Sequence, residues 1–107
     1  MVTNNFSKDT FLVDLAPEPH MCDELESINE TMRSNGNCDV VVDFSNADIV
    51  TASSLSKLLK LRQQLVESGR RLVLCGLTGN TRSVFAKTAL DRVFEFASNK
   101  SAVLMNA

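Results

Sequence analysis

Near the middle of the chain, Cys38-Asp39-Val40-Val41-Val42-Asp43-Phe44 is apolar and β-branched almost without a break. A strand with one wet face alternates apolar and polar residues; a continuous run predicts a strand covered on both faces. Arg70-Arg71-Leu72-Val73-Leu74-Cys75-Gly76 is a second such run. Between them Leu55, Leu58, Leu59, Leu61, Leu65 and Val66 fall at helical spacing, with Lys57, Lys60, Gln64 and Glu67 opposite. That stripe predicts an amphipathic helix starting near Ser53 and ending at Gly69, with Thr51, Ser53 or Ser54 as its cap. Strand, helix and strand in this order make a crossover unit, which requires a parallel pair.

The flanking segments extend the same alternation. Phe11, Val13 and Leu15 predict a half-buried strand over residues 10–16, stopped by Pro17 and Pro19. Met21, Leu25, Ile28 and Met32 predict a helix over 21–34, with early acids suited to its dipole and Gly36 as its stop. Ser45-Asn46-Ala47-Asp48 turns the chain, and Ile49-Val50 extends the central strand briefly. A helix over 81–89, a short strand over 93–96 and a closing helix over 99–106 complete the pattern. The expected fold class is α/β: a mixed, mainly parallel four- to five-stranded sheet with about four helices. Residues 1–9 read as an arm or extra strand, and 10–107 as a single domain.

The 107 residues suit one domain, and 44% hydrophobic with 22% charged residues suits a globular one. The sequence has no apolar run near the ~20 residues that cross a bilayer. The start, MVTNNFSKDT, lacks the basic and apolar regions of a signal peptide. A net charge of −2 argues against generic nucleic-acid binding, which rests on Lys and Arg. The expectation is therefore a cytoplasmic protein with no membrane insertion and no nucleic-acid partner. Cys22, Cys38 and Cys75 contain no C-x-x-C, and the single His20 completes no zinc pattern. They read as small apolar residues in a reducing compartment, with no metal and no cofactor expected. Charge is uneven: residues 1–50 stand at about −8 and residues 51–107 at about +6. Such asymmetry either steers a charged partner or places two solvated faces on one domain.

Two loops at strand carboxyl ends are candidate sites, because function in open α/β sheets gathers there. Residues 45–55, S-N-A-D-I-V-T-A-S-S-L, place Thr51, Ser53 and Ser54 at a helix start. They can cap the helix, and the same place favours an anion or an attached phosphate. Residues 75–82, C-G-L-T-G-N-T-R, resemble the anion cradle of cysteine-dependent phosphatases and rhodaneses. Six residues separate Cys75 from Arg82 where the phosphatase loop has five, so a buried strand Cys75 is the simpler reading. Gly76-Leu77-Thr78-Gly79 matches the G-x-x-G of KH domains but lacks flanking Lys, and no P-loop is present.

V-V-V-D-F-S-N-A-D-I-V-T-A-S-S-L-S-K-L-L-K-L, residues 40–61, and G-L-T-G-N-T-R-S-V-F-A-K-T-A-L-D-R-V-F-E-F, residues 76–96, together resemble STAS domains, the sulphate transporter and anti-sigma factor antagonist family. The resemblance covers about residues 10–105. It implies a non-catalytic, STAS-like module, and most commonly an anti-sigma factor antagonist in transcription regulation. Such a module docks an anti-sigma factor or serine kinase and is switched off by phosphorylation of the first Ser in a D-S-S-G-L-G-like loop. Asp43-Phe44-Ser45 matches the strand end before that loop and Leu55 the helix leucine. Thr51 stands at the family's Asp, Ala52 at the phosphorylated Ser, Ser53 at the second Ser, and Ser54 and Ser56 at the glycines. Alanine cannot carry the phosphate, so Ser53 or Thr51 would have to take over.

The surface expected to meet a partner is Asp48, Thr51, Ala52, Ser53, Ser54, Leu55 and Lys57 within residues 48–58, with Ser53 the candidate phosphoacceptor. A second hypothesis is a constitutive scaffold or a cytoplasmic subunit of a signalling or transporter assembly. A third is a phosphatase or sulfurtransferase using Cys75. The sequence leaves the partner's identity and the oligomeric state open.

Overall fold

The computed structural model describes residues 4–7, 10–35 and 38–98. The chain order is β1 (Asn4–Ser7), β2 (Thr10–Asp14), α1 (His20–Asn35), β3 (Asp39–Asp43), α2 (Ala52–Glu67), β4 (Leu72–Cys75), α3 (Gly79–Lys87), a 3-10 turn (Leu90–Arg92) and β5 (Glu95–Ala97). The five strands lie side by side in sequence order. β1 pairs antiparallel with β2, and every later neighbour is parallel. Each parallel step moves the same way across the sheet, so right-handed crossovers bring α1, α2 and α3 to one face.

Strand alternation then divides the core. Phe11, Val13, Leu15, Val40, Val42, Phe44, Leu72 and Leu74 point toward the helices and pack with Met21, Leu25, Ile28, Leu58, Leu61, Leu65 and Phe85. Val41, Val73 and Cys75 are buried on the opposite face, against Leu12 and Ala97. The unbroken apolar runs of β3 and β4 have this cause: both of their faces are covered. Each fully buried Leu of α2 contributes about 1.5–3 kcal/mol by leaving water.

α1 and α2 are also locked by polar contacts. Asn29 is fully buried. Its Nδ2 donates to the Lys57 carbonyl at 3.1 Å and its Oδ1 accepts from Gln64 Nε2 at 2.7 Å. Lys57 Nζ donates to Glu26 Oε1 at 2.6 Å.

Several boundaries differ from expectation. The described residues hold three α-helices rather than about four; the expected closing helix over 99–106 and the Gly36 stop lie outside them. α3 begins at Gly79 because Thr78 is its cap, with Thr78 Oγ1 accepting from Thr81 N. It ends before Ala89, whose φ of 60° is left-handed. Phe94 leaves the ladder to pack edge-on against Phe85, so the last strand starts at Glu95. Ile49-Val50 is not strand: Val50 turns inward and Ile49 outward. No described helix is long and apolar enough to cross a membrane.

Candidate functional site

The parallel strands deliver three loops to one end of the sheet: residues 15–19 after β2, 44–51 after β3 and 76–78 after β4. The Asp43-Phe44-Ser45 strand end folds on itself. Asp43 Oδ1 accepts from Ser45 N at 2.9 Å and from Ser45 Oγ at 2.5 Å. Phe44 is buried beneath it, edge-on to Phe85. Gly76 crosses this turn with a φ of +67°, and any Cβ there would meet Ser45 Oγ at 2.5 Å and Asp43 Oδ1 closer still.

The start of α2 is satisfied from two directions. Thr51 is the N-cap, its Oγ1 accepting from Ser54 N at 3.2 Å. Glu18, from the loop before α1, sets Oε2 against the same turn. It accepts from Thr51 N at 2.9 Å, Thr51 Oγ1 at 2.8 Å and Ser54 Oγ at 2.7 Å. α2 carries no acid in its own first turn, so Glu18 supplies the negative charge its dipole favours. Burial raises the Glu18 pKa, but the hydrogen bonds from Ser54, Thr51 and the Cys22 amide outweigh it and hold the carboxyl below its ordinary value.

Asp48 does the same for α3. Its Oδ1 accepts from Thr78 Oγ1 at 2.5 Å and its Oδ2 from Asn80 Nδ2 at 2.8 Å. Those two bonds hold its carboxyl below the usual range. Each of these helix starts is thus met by a carboxylate from an earlier loop, and the three loops are tied into one surface.

The expected site residues separate into two groups. Asp48, Thr51, Ala52 and Ser53 are exposed at the tip. Ser54 is fully buried and faces Glu18, Leu55 is half-buried against the core, and Lys57 turns along α1 to Glu26. Of these three only Ser54 is closed off from solvent; Leu55 and Lys57 keep part of their side chains at the surface beside the tip. Ala52 opens α2, and the Ser53 hydroxyl beside it forms no hydrogen bond among the described residues. Sequence reasoning missed Glu18, whose segment reads only as a proline stop. It also missed Ile49, whose 67% exposure was masked by its β-propensity.

Cys75 ends β4 fully buried, on the sheet face away from the helices. Its thiol therefore points away from the 76–82 loop, and the phosphatase-like cradle does not form. Cys38 is buried and Cys22 half-buried. Among the described residues no group of His, Cys, Asp and Glu is arranged to hold a metal.

The fold is shared with proteins of low sequence identity. A STAS domain protein from Planctomyces limnophilus superposes with a TM-score of 0.83 at 14% identity, over 98% of this chain and 96% of that one. The anti-sigma factor antagonist SpoIIAA in its unphosphorylated form gives 0.75 at 14% identity, over 99% and 96%. RsbS from Moorella thermoacetica gives 0.77 at 17% identity, over 94% and 88%. No curated protein matches by sequence. The STAS domain family model matches residues 11–102, and the chain belongs to that family.

Proposed function

We propose that this domain is a non-catalytic regulatory module that docks a protein partner through the tip formed by residues 48–53, in the manner of an anti-sigma factor antagonist. The observation that carries the reading is the pinned tip. Asp48 and Thr51 are held by side chains from other loops while Ala52 and Ser53 face solvent. A surface held in one conformation loses little entropy on binding. The likeness of the fold to SpoIIAA and RsbS supports a partner of the anti-sigma factor or serine kinase type.

Within the first turn of α2, Ser53 is the acceptor best suited to a kinase. The Thr51 and Ser54 hydroxyls are spent on Glu18, and Ala52 has none. The absence of a hydroxyl at Ala52 favours a second reading: a constitutive scaffold, permanently in the docking state. The test is capture from native cytosol on immobilised domain, with intact-mass analysis of the native protein. Docking at the tip predicts a retained protein that Ser53→Arg releases while the circular dichroism spectrum is unchanged. Retention by Ser53→Arg at the wild-type level overturns the docking reading. A phosphate on Ser53 that abolishes capture rejects the constitutive scaffold.

A further inference from the structure

Ile49 is the most exposed large hydrophobic side chain among the described residues, at 67%. Its neighbours are fixed on both sides. Asp48 is tied by two hydrogen bonds to Thr78 and Asn80, Val50 is buried, and the Thr51 amide is bonded to Glu18. An isolated exposed apolar residue needs no explanation, but one held out on a rigid, solvent-facing loop is preorganised for burial. The charge carried by the three loops themselves has one sign. Loops 15–19, 44–51 and 76–78 contain Glu18 and Asp48 and no Lys or Arg, and β2 and β3 end at this pole in Asp14 and Asp43.

We infer that Ile49 is the apolar anchor of the docking surface, and that the surface it enters is a protein pocket rimmed by Lys or Arg. This rests on the docking reading above and specifies the chemistry of its partner. A central apolar side chain carries binding energy once water is excluded around it. Opposite charge at the rim accelerates encounter and selects the partner. The 67% exposure leaves most of the side chain still to bury, worth about tenfold or more in affinity.

The test uses the protein captured by the domain, identified and purified, with association and dissociation rates measured against the full chain. Ile49→Ala should weaken binding about tenfold, mainly through faster dissociation, and Ile49→Asp should abolish it. Val66→Ser is the control: Val66 is also exposed, at 52%, but lies about 21 Å along α2 from Ala52. It should stay within twofold of wild type. Raising salt from about 0.05 to 0.5 M should slow association several-fold. Wild-type affinity in Ile49→Ala, with binding still lost in Ser53→Arg, overturns the anchor and leaves docking standing. Salt-independent association overturns the basic rim. Capture of nothing, or capture indifferent to Ser53→Arg, removes the docking reading and this inference with it.

Discussion

Gly76→Ala tests whether the loops at the strand ends are as tightly interlocked as their contacts indicate, and Gly69→Ala provides the control. Both glycines have left-handed φ, +72° at Gly69 and +67° at Gly76. A Cβ at Gly69 meets nothing within 4 Å. One at Gly76 meets Ser45 Oγ at 2.5 Å, Ser45 N at 3.3 Å and the Asp43 carboxylate. The backbone penalty is shared and amounts to about 1–2 kcal/mol. Relief of the clash at Gly76 requires Asp43 and Ser45 to move apart, which breaks the two hydrogen bonds Asp43 accepts from Ser45. Two lost bonds, both to the charged Asp43 carboxylate, add about 3–6 kcal/mol. Gly69→Ala should therefore lower Tm by about 4–12 °C and Gly76→Ala by at least twice as much. Thermal unfolding followed by circular dichroism reads both. Adding Ser45→Ala to Gly76→Ala should recover part of the loss, because one clashing atom is removed. Equal shifts for the two glycine variants, or no recovery in the double variant, would refute the steric argument.

Other perturbations probe separate parts of the structure. Asn29→Ala removes the buried amide between α1 and α2 and should cost about 1–3 kcal/mol in urea unfolding with an unchanged slope, since the Lys57 carbonyl and Gln64 lose a partner. Phe85→Ala deletes the ring that meets Phe44, Phe94 and Phe96 edge-on and should cost about 3–5 kcal/mol by the same assay. Glu18 titrates below its ordinary value of 4.5 in the folded chain, so the stability it adds is complete above that pH and is lost as pH falls through the lower folded pKa. Glu18→Gln should lower stability at neutral pH and flatten the acid limb below about pH 4.5; parallel acid limbs for variant and wild type would exclude this role.

What the sequence revealed, and what it hid, follows from distance along the chain. Val40, Val41 and Val42 announce β3 because the run itself records that both faces are covered. Leu58, Leu61 and Leu65 announce α2 because a helix repeats its buried face locally. The site is different. Ser54 reads as a capping or modifiable hydroxyl until Glu18, 36 positions earlier, arrives to bury it. Asp48 reads as a turn residue until Thr78 and Asn80, 30 and 32 positions later, bind its two oxygens. Gly79 and Asn80 read as loop because glycine is a poor helix former; the Thr78 cap and its bond to Thr81 draw them into α3. Local periodicity records which face of an element is buried, but it carries no trace of which distant side chain will satisfy a polar group.

The same long-range bonds bear on how a tip without the usual phosphoserine could still be regulated. The N-terminus of a helix favours an anion, and at α2 that place already holds the Glu18 carboxylate. A phosphate on Thr51 would have to expel Glu18 and break the cap, so modification there would unpin the loop as well as charge it. A phosphate on Ser53 would leave the cap intact and add nearly two negative charges to a pole that already carries Glu18 and Asp48. Against a rim of Lys or Arg that charge does not slow encounter, so the block would come from the bulk of the phosphate beside Ala52, which keeps Ile49 from seating without unfolding the tip. Regulation through Ser53 should therefore appear as faster dissociation with an unchanged Tm, whereas modification at Thr51 should lower both affinity and Tm.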